Sequence, residues 1–257
     1  MLWCAAVLAV LGGAGYALFL SKLFTISRIA VEGNKKIQTA AIRAVMDGYM
    51  GEKIFLYVPR GSYFLVMPEE LQERLDRHFS EFSAVLVEKK FPNRLYVRVQ
   101  EREFAGIWCG VASLCFLMDT GGVLYGEAPS SSGTLVMALR GSGVGSLGST
   151  ALAPGIVANL GDVHEALHAQ LALGLGELDI GNLPDVSAHT TESWDLRFDA
   201  SRKALLTLNA LRETLAWIAE EKKNKNIQEE LAYIDLRIEG RAYYKFKEGG
   251  VILKPES

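Results

Sequence analysis

The run Phe91-Pro92-Asn93-Arg94-Leu95-Tyr96-Val97-Arg98-Val99-Gln100-Glu101-Arg102-Glu103 reads as a turn feeding straight into a strand. Phe91-Pro92-Asn93 is turn chemistry. After it Leu95, Val97 and Val99 alternate with Tyr96, Arg98 and Gln100, the two-residue period of a strand with one buried face. Ser83 to Lys89, just before the turn, supplies the second strand of a hairpin. Further upstream, Pro68 opens a helix with Glu69 and Glu70 in its first turn, where carboxylates complement the helix dipole. Leu71, Leu75 and Phe79 give that helix one apolar stripe. Gln38 to Met50 carries Ala41, Ile42, Val45, Met46 and Tyr49 at helical spacing. The alternating run Ile26 to Glu32, stopped by Gly33-Asn34, is a strand and turn. The order over 24–103 is strand, helix, helix, strand, strand.

Ahead of this block lies Met1 to Ser21, apolar and with no Lys, Arg, Asp or Glu before Lys22. Roughly twenty apolar residues at 1.5 Å rise match a bilayer core of about 30 Å. A cleaved signal peptide would carry a positive n-region and a shorter core. Here the apolar run continues through Phe19 and Leu20, so it reads as an uncleaved anchor. Read literally, the charge rule applied to Lys22, Arg28, Lys35 and Lys36 puts the large domain inside, but the rule is uninformative for a span that starts at the second residue, and the domain content has to decide the side.

Beyond Phe104 the pattern turns to short strands and two long helices. Strands are expected over 106–110, 114–119, 123–125, 135–139, 177–180 and 194–198, with helices over 154–173 and 202–221. The second helix is given an apolar face of Leu205, Leu208, Leu215 and Ile218, and a charged end at Glu220 to Lys225. Gly141 to Ser149, rich in Gly and Ser, reads as a flexible loop. Strands Ala232 to Ile238 and Arg241 to Lys247 flank Glu239-Gly240. The chain is therefore α+β. A single transmembrane helix (1–21) precedes the strand-helix-helix-strand-strand domain (24–103), a mainly antiparallel β domain with two long helices (104–250) and a tail (251–257). A net charge of −3 offers no broad basic field for nucleic acid.

Taken together, these motifs resemble a known family. Phe24-Thr25-Ile26, then Ile29 to Asn34, and the run Phe91 to Glu103 look like a POTRA domain. Phe91 through Glu101-Arg102 to Trp108, then Asp119, Gly122 and Tyr125, resemble the FtsQ/DivIB cell-division proteins. Trp194-Asp195-Leu196 and Ile234-Asp235-Leu236-Arg237 are similar to two late strands of that family. The cytoplasmic tail usual in the family does not appear in this sequence. Read alone, Glu101-Arg102-Glu103 is a solvated strand end and Asp119 to Gly122 a plain turn.

One motif points elsewhere. His164-Glu165-Ala166-Leu167-His168 is a literal H-E-x-x-H, which on a helix sets two imidazoles one turn apart with a glutamate as base. The metzincin continuation wants Gly and His where Leu171 and Gly174 stand. His189 and Glu192 fall in Ser/Thr-rich loop sequence. The segment reads as an amphipathic surface helix, and neither metal nor other cofactor is expected. No nucleophile elbow, P-loop or Ser-x-x-Lys pattern appears, and Ser130-Ser131-Ser132 is a loop cluster. Cys109 and Cys115 are not spaced as a redox motif. A hairpin centred on Ala112 sets them opposite one another, close enough for a disulfide or simply as two small apolar strand residues.

The resemblance implies a non-enzymatic bitopic scaffold in the bacterial inner membrane, its large domain extracytoplasmic, that recruits partners at the division septum. It also implies FtsB-like and FtsL-like coiled-coil partners, bound by strand addition to a free edge at Arg241 to Lys247. Arg237, Ile238, Gly240, Arg241, Tyr243 and Tyr244 are the expected contact residues. The alternatives are a POTRA component of outer-membrane secretion, which the helix at 202–221 argues against, and a membrane-tethered zinc hydrolase.

Overall fold

The computed structural model describes residues 2–19, 21–54, 58–111, 114–129, 134–222, 230–247 and 251–253. Ala112, Ser130 to Ser132 and the charged run beyond Lys222 lie outside the described residues. The chain divides into two compact units, 1–102 and 103–257.

The first unit opens with α1 (Leu2–Phe19), an 18-residue helix without a charged side chain. Among the described residues no helix is long and apolar enough to cross a membrane. Then follow β1 (Arg28–Glu32), α2 (Thr39–Gly51), the two-residue strands β2 (Lys53–Ile54) and β3 (Val58–Pro59), α3 (Pro68–His78), β4 (Phe82–Lys90) and β5 (Arg94–Glu101). The strands order β1-β5-β4, with β1 parallel to β5 and β4 antiparallel to it. Pro68 stands in the first turn of α3, Glu69 and Glu70 complement its N-terminus, and Arg77 and His78 its C-terminus. Ile42, Met46 and Tyr49 of α2 meet Leu71 and Leu75 of α3 over Leu95, Val97 and Val99 of β5. Both helices are short, so their stability comes from this shared apolar face rather than from propensity.

The second unit is one ten-stranded mixed sheet. Its strands are β6 (Phe104–Cys109), β7 (Cys115–Asp119), β8 (Leu124–Ala128), β9 (Ala138–Arg140), β10 (Leu175–Asn182), β11 (Asp185–Thr190), β12 (Asp195–Asp199), β13 (Leu231–Asp235), β14 (Tyr243–Phe246) and β15 (Val251–Leu253). They order β15-β14-β13-β12-β11-β10-β9-β6-β7-β8, and most neighbouring pairs run antiparallel. Helices α4 (Pro154–Leu171) and α5 (Ala204–Lys222) share its core with Trp194, Phe198, Leu139 and Tyr244. Asn159 stitches the two helices together. Its Nδ2 donates to the carbonyls of Ala200 (2.8 Å) and Arg202 (2.6 Å), and its Oδ1 accepts the Ala204 N–H (2.7 Å) at the start of α5.

Four expectations change. Leu205 is 61% exposed, and the buried stripe of α5 runs through Leu208, Leu211 and Ile218 instead. The Ser/Thr-rich segment holding His189 is a strand, β11, whose inward positions Val186, Ala188 and Thr190 are small enough to hide its alternation. Gly141 to Ser149 is not a free loop. It packs on Trp108, where a Cβ at Gly145 would lie 2.3 Å from the indole, and the Gly141 N–H donates to the Cys109 carbonyl at 2.9 Å. The tail assigned to 251–257 contains β15.

Candidate partner-binding edge

The residues expected to bind a partner surround the β13–β14 hairpin. Gly240 takes φ +73 in its turn, a backbone state that costs glycine nothing, and Arg241 N–H donates to the Ile238 carbonyl at 3.2 Å. Ile238, Glu239, Gly240 and Arg241 are exposed and Tyr243 half-buried. Tyr244 is fully buried, its ring 5.8 Å from Trp217 and 5.6 Å from Phe246. It is a core residue.

Arg237 is half-exposed, and its guanidinium is held by carboxylates of the chain itself. Its guanidinium grips Asp235 through Nε (2.9 and 3.1 Å) and Nη2 (2.7 Å), and Nη1 reaches Asp185 of β11 at 2.8 Å across the intervening β12. Burial alone would raise the Asp235 carboxyl. The Arg237 hydrogen bonds and charge outweigh it and hold that carboxyl below the usual range. The same bonds push the Arg237 guanidinium further up. Arg202, just before α5, donates to the Leu236 carbonyl at 2.8 Å and to that of Arg237. Arg237 therefore braces the hairpin.

The free edge expected at Arg241 to Lys247 is not there. Strand β14 is interior, bonded to β13 on one side and to β15 on the other, with Tyr243 opposite Leu253 and Lys245 opposite Val251. The sheet ends at β15. The signal for it is Val251-Ile252-Leu253 after Gly249-Gly250, three strand-forming residues behind a glycine break.

The other edges of the two larger sheets meet groups of the chain itself. At the far end of the large sheet, Leu124 of β8 donates to the Ser149 carbonyl (2.9 Å) and accepts from Gly148 (2.6 Å). In the small sheet, Arg43 Nη2 donates to the Ile29 carbonyl of β1 at 2.9 Å, and Gln72 Oε1 accepts the Val87 N–H of β4 at 3.0 Å.

Residues 24–102 match a family model described as POTRA domain, FtsQ-type. The first unit contains an FtsQ-type POTRA domain. The match supports an FtsQ/DivIB-family protein. No curated protein matches the chain.

Within the POTRA domain the motif residues have structural work. Gly33 takes φ +90, and a Cβ there would fall 2.0 Å from the Val99 carbonyl oxygen, so only glycine fits. Glu101 is not a merely solvated strand end. Its carboxylate accepts the backbone N–H groups of Lys35 (2.7 Å), Lys36 (2.9 and 3.0 Å) and Ile37 (3.0 Å). Burial pushes that carboxyl up, but the N–H groups and the Lys36 charge hold it below the usual range.

The H-E-x-x-H residues lie on α4, with His164 half-buried and His168 exposed. Burial, then the His168 charge, pulls the His164 imidazole down, and among the described residues its Nε2 has no partner. Among the described residues no group of three or more His, Cys, Asp or Glu is placed to hold a metal ion. His189 Nδ1 lies 2.9 Å from Asp195 on the neighbouring strand. Cys109 and Cys115 stand opposite one another on β6 and β7 and are disulfide-bonded, with Cα atoms 4.1 Å apart.

Proposed function

We propose that this chain is a bitopic scaffold of the bacterial division machinery, holding FtsB-like and FtsL-like partners at the septum through the β14–β15 end of its second sheet. The FtsQ-type POTRA domain supports the division role. The observation that carries the binding mode is the account of the edges. Of the four edges of the two larger sheets, three make hydrogen bonds with Arg43, Gln72 and the segment at Gly148–Ser149, and the fourth is the three-residue strand β15. A partner strand that takes the place of β15 beside β14 gains main-chain hydrogen bonds, while Ile238, Gly240, Arg241 and Tyr243 supply specificity.

Helix α1 is the anchor in this reading. The whole uncharged run Met1 to Ser21 supports it, roughly twenty residues against a bilayer core of about 30 Å, since the described helix α1 alone falls short of a span; Trp3, Val7, Val10 and Leu11 on it are at least half exposed. Both units lie on the extracytoplasmic side of the inner membrane, a placement that the Cys109–Cys115 bridge favours, because cytosolic thiols stay reduced. The chain carries no catalytic activity. The scaffold of an FtsQ-type POTRA protein needs none.

Co-purification of the full chain with co-expressed coiled-coil division proteins tests the reading. Ile238→Glu sets charge into the apolar contact and weakens capture by about 2 kcal/mol, roughly 30-fold. Truncation after Lys247 bares β14 and strengthens it. Capture unchanged by both variants removes this end of the sheet from the interface. Activity of a cytoplasm-only reporter fused at the C-terminus would overturn the orientation.

A further inference from the structure

Four aromatic rings gather at the end of the POTRA domain where the chain arrives from α1. Phe24 lies 5.2 Å from Phe64 and 5.8 Å from Phe91, and Tyr63 lies 5.5 Å from Phe64 and 5.7 Å from Phe91. Three separate segments bring them there, and backbone bonds fix the arrangement. The Tyr63 N–H donates to the Phe24 carbonyl (2.7 Å) and the Ile26 N–H to the Gly61 carbonyl (2.8 Å). Lys89 Nζ ties β4 to the carbonyls of Tyr63 (3.1 Å) and Val66 (3.0 Å).

Such a cluster would ordinarily be core, yet this one faces outward. Phe91 is 65% exposed and Phe64 44%, beside Leu23 at 72% and Met67 at 52%. Grouped exposed apolar side chains of this size mark a contact surface.

A second observation names the contact. The register sets Arg28 of β1 opposite Arg94 of β5, and Lys90 of β4 opposite the same Arg94. Residues directly opposite share a face of the sheet, so three cations stand side by side at the Phe91 end, a like-charge row that costs stability. All three are exposed, and among the described residues neither arginine has an ion-pair partner. Lys90 Nζ lies over the Tyr96 ring at 4.4 Å. On this face carboxylates begin only at Glu88 and Glu32, further from the turn. Asp47 shares a cleft with Arg28 without pairing to it, and Glu69 follows Met67 at a distance of two residues.

Exposed aromatic rings beside unpaired cations fit the headgroup zone of an anionic bilayer, where rings settle at the interface and each cation meets lipid phosphate. Connectivity makes the contact reachable. Only residues 20–23 separate α1 from Phe24, a tether of at most about 18 Å. We infer that Phe24, Phe64 and Phe91, with Arg28, Lys90 and Arg94, form a second membrane contact that seats the POTRA domain on anionic phospholipid. The inference rests on α1 being the anchor.

The test uses the full chain in phosphatidylcholine vesicles containing about 30% phosphatidylglycerol and a headgroup-nitroxide lipid as quencher. A fluorescent amino acid replaces Phe91, Phe64 or, as control, Glu81 at the far end of β4. Quenching at 91 and 64 exceeds that at 81 roughly twofold or more, and the difference vanishes in Arg28→Glu/Arg94→Glu and in vesicles of phosphatidylcholine alone. A chain that floats with the vesicles but is quenched equally at all three positions overturns the inference and leaves the anchor intact. A difference that survives without anionic lipid overturns it too. A chain that does not float overturns the anchor reading, and this inference with it.

Discussion

The POTRA domain and the second unit solve the same problem differently. Each contains a sheet whose outer strands carry unpaired backbone groups, a hazard that proteins blunt by covering, charging or shortening the edge. The POTRA domain uses side chains from its own helices, Arg43 from α2 and Gln72 from α3. The second unit uses backbone: the glycine-rich segment along β8 at one end, and the three-residue β15 at the other. A side-chain plug is part of a packed helix and is removed only with it. A three-residue strand is held to its neighbour by few ladder bonds. The first arrangement suits a closed module, and the second is the one on which the proposed docking rests.

The sharpest way to break that contrast is a proline at Tyr244. Flanked by β13 and β15 and fully buried, this position loses a ladder bond and a packed ring, so Tyr244→Pro costs about 3 kcal/mol or more and lowers the urea midpoint accordingly. A variant that folds normally and loses only partner binding would restore β14 as the free edge. Next in size is the Cys109–Cys115 bridge beside the covered end. It closes a short loop, so Cys109→Ser/Cys115→Ser costs about 2 kcal/mol in the second unit and leaves the POTRA domain unchanged by denaturant unfolding.

What the sequence revealed follows the same division. The helices α2 and α3 and the β4–β5 hairpin were legible because each rests on neighbours in the chain: Leu71 and Leu75 one turn apart, Leu95, Val97 and Val99 alternating. In the second unit the strands were mostly legible but their order was not. Nothing local to Arg241–Lys247 states that a further strand lies beside it. Strand β11 escaped because Ser187 and Ala188 carry little hydrophobic contrast. Leu205 was misplaced because five leucines and an isoleucine on α5 allow more than one stripe. Glycines 141 and 145 looked like slack, when they are thin because Trp108 lies against them.

A smaller effect sharpens the POTRA side. Gln72→Leu removes the acceptor for the Val87 N–H, costs about 1 kcal/mol, and speeds exchange of that amide as read by hydrogen exchange. Unchanged exchange would mean that the plug is decorative. The smallest effect is on the acid limb. Because the folded Glu101 carboxyl is depressed, its contribution is present above the usual glutamate value of about 4.3 and is lost as pH falls through the lower folded value. Glu101→Gln therefore flattens the fall in stability on acidification, measured by thermal unfolding between about pH 5 and pH 2.

Strand β15 also sets a condition on any ligand of the neighbouring end. It is joined to Lys247 by only Glu248-Gly249-Gly250, and a segment on so short a tether acts at an effective concentration in the millimolar range or above. In the proposed binding mode it is a built-in competitor. A strand that must pair with β14 binds only during the fraction of time that 251–253 is away, and its apparent affinity falls by that fraction. A short, weakly held peptide is turned away, and only a strand long enough to offer more bonds than the three-residue occupant displaces it.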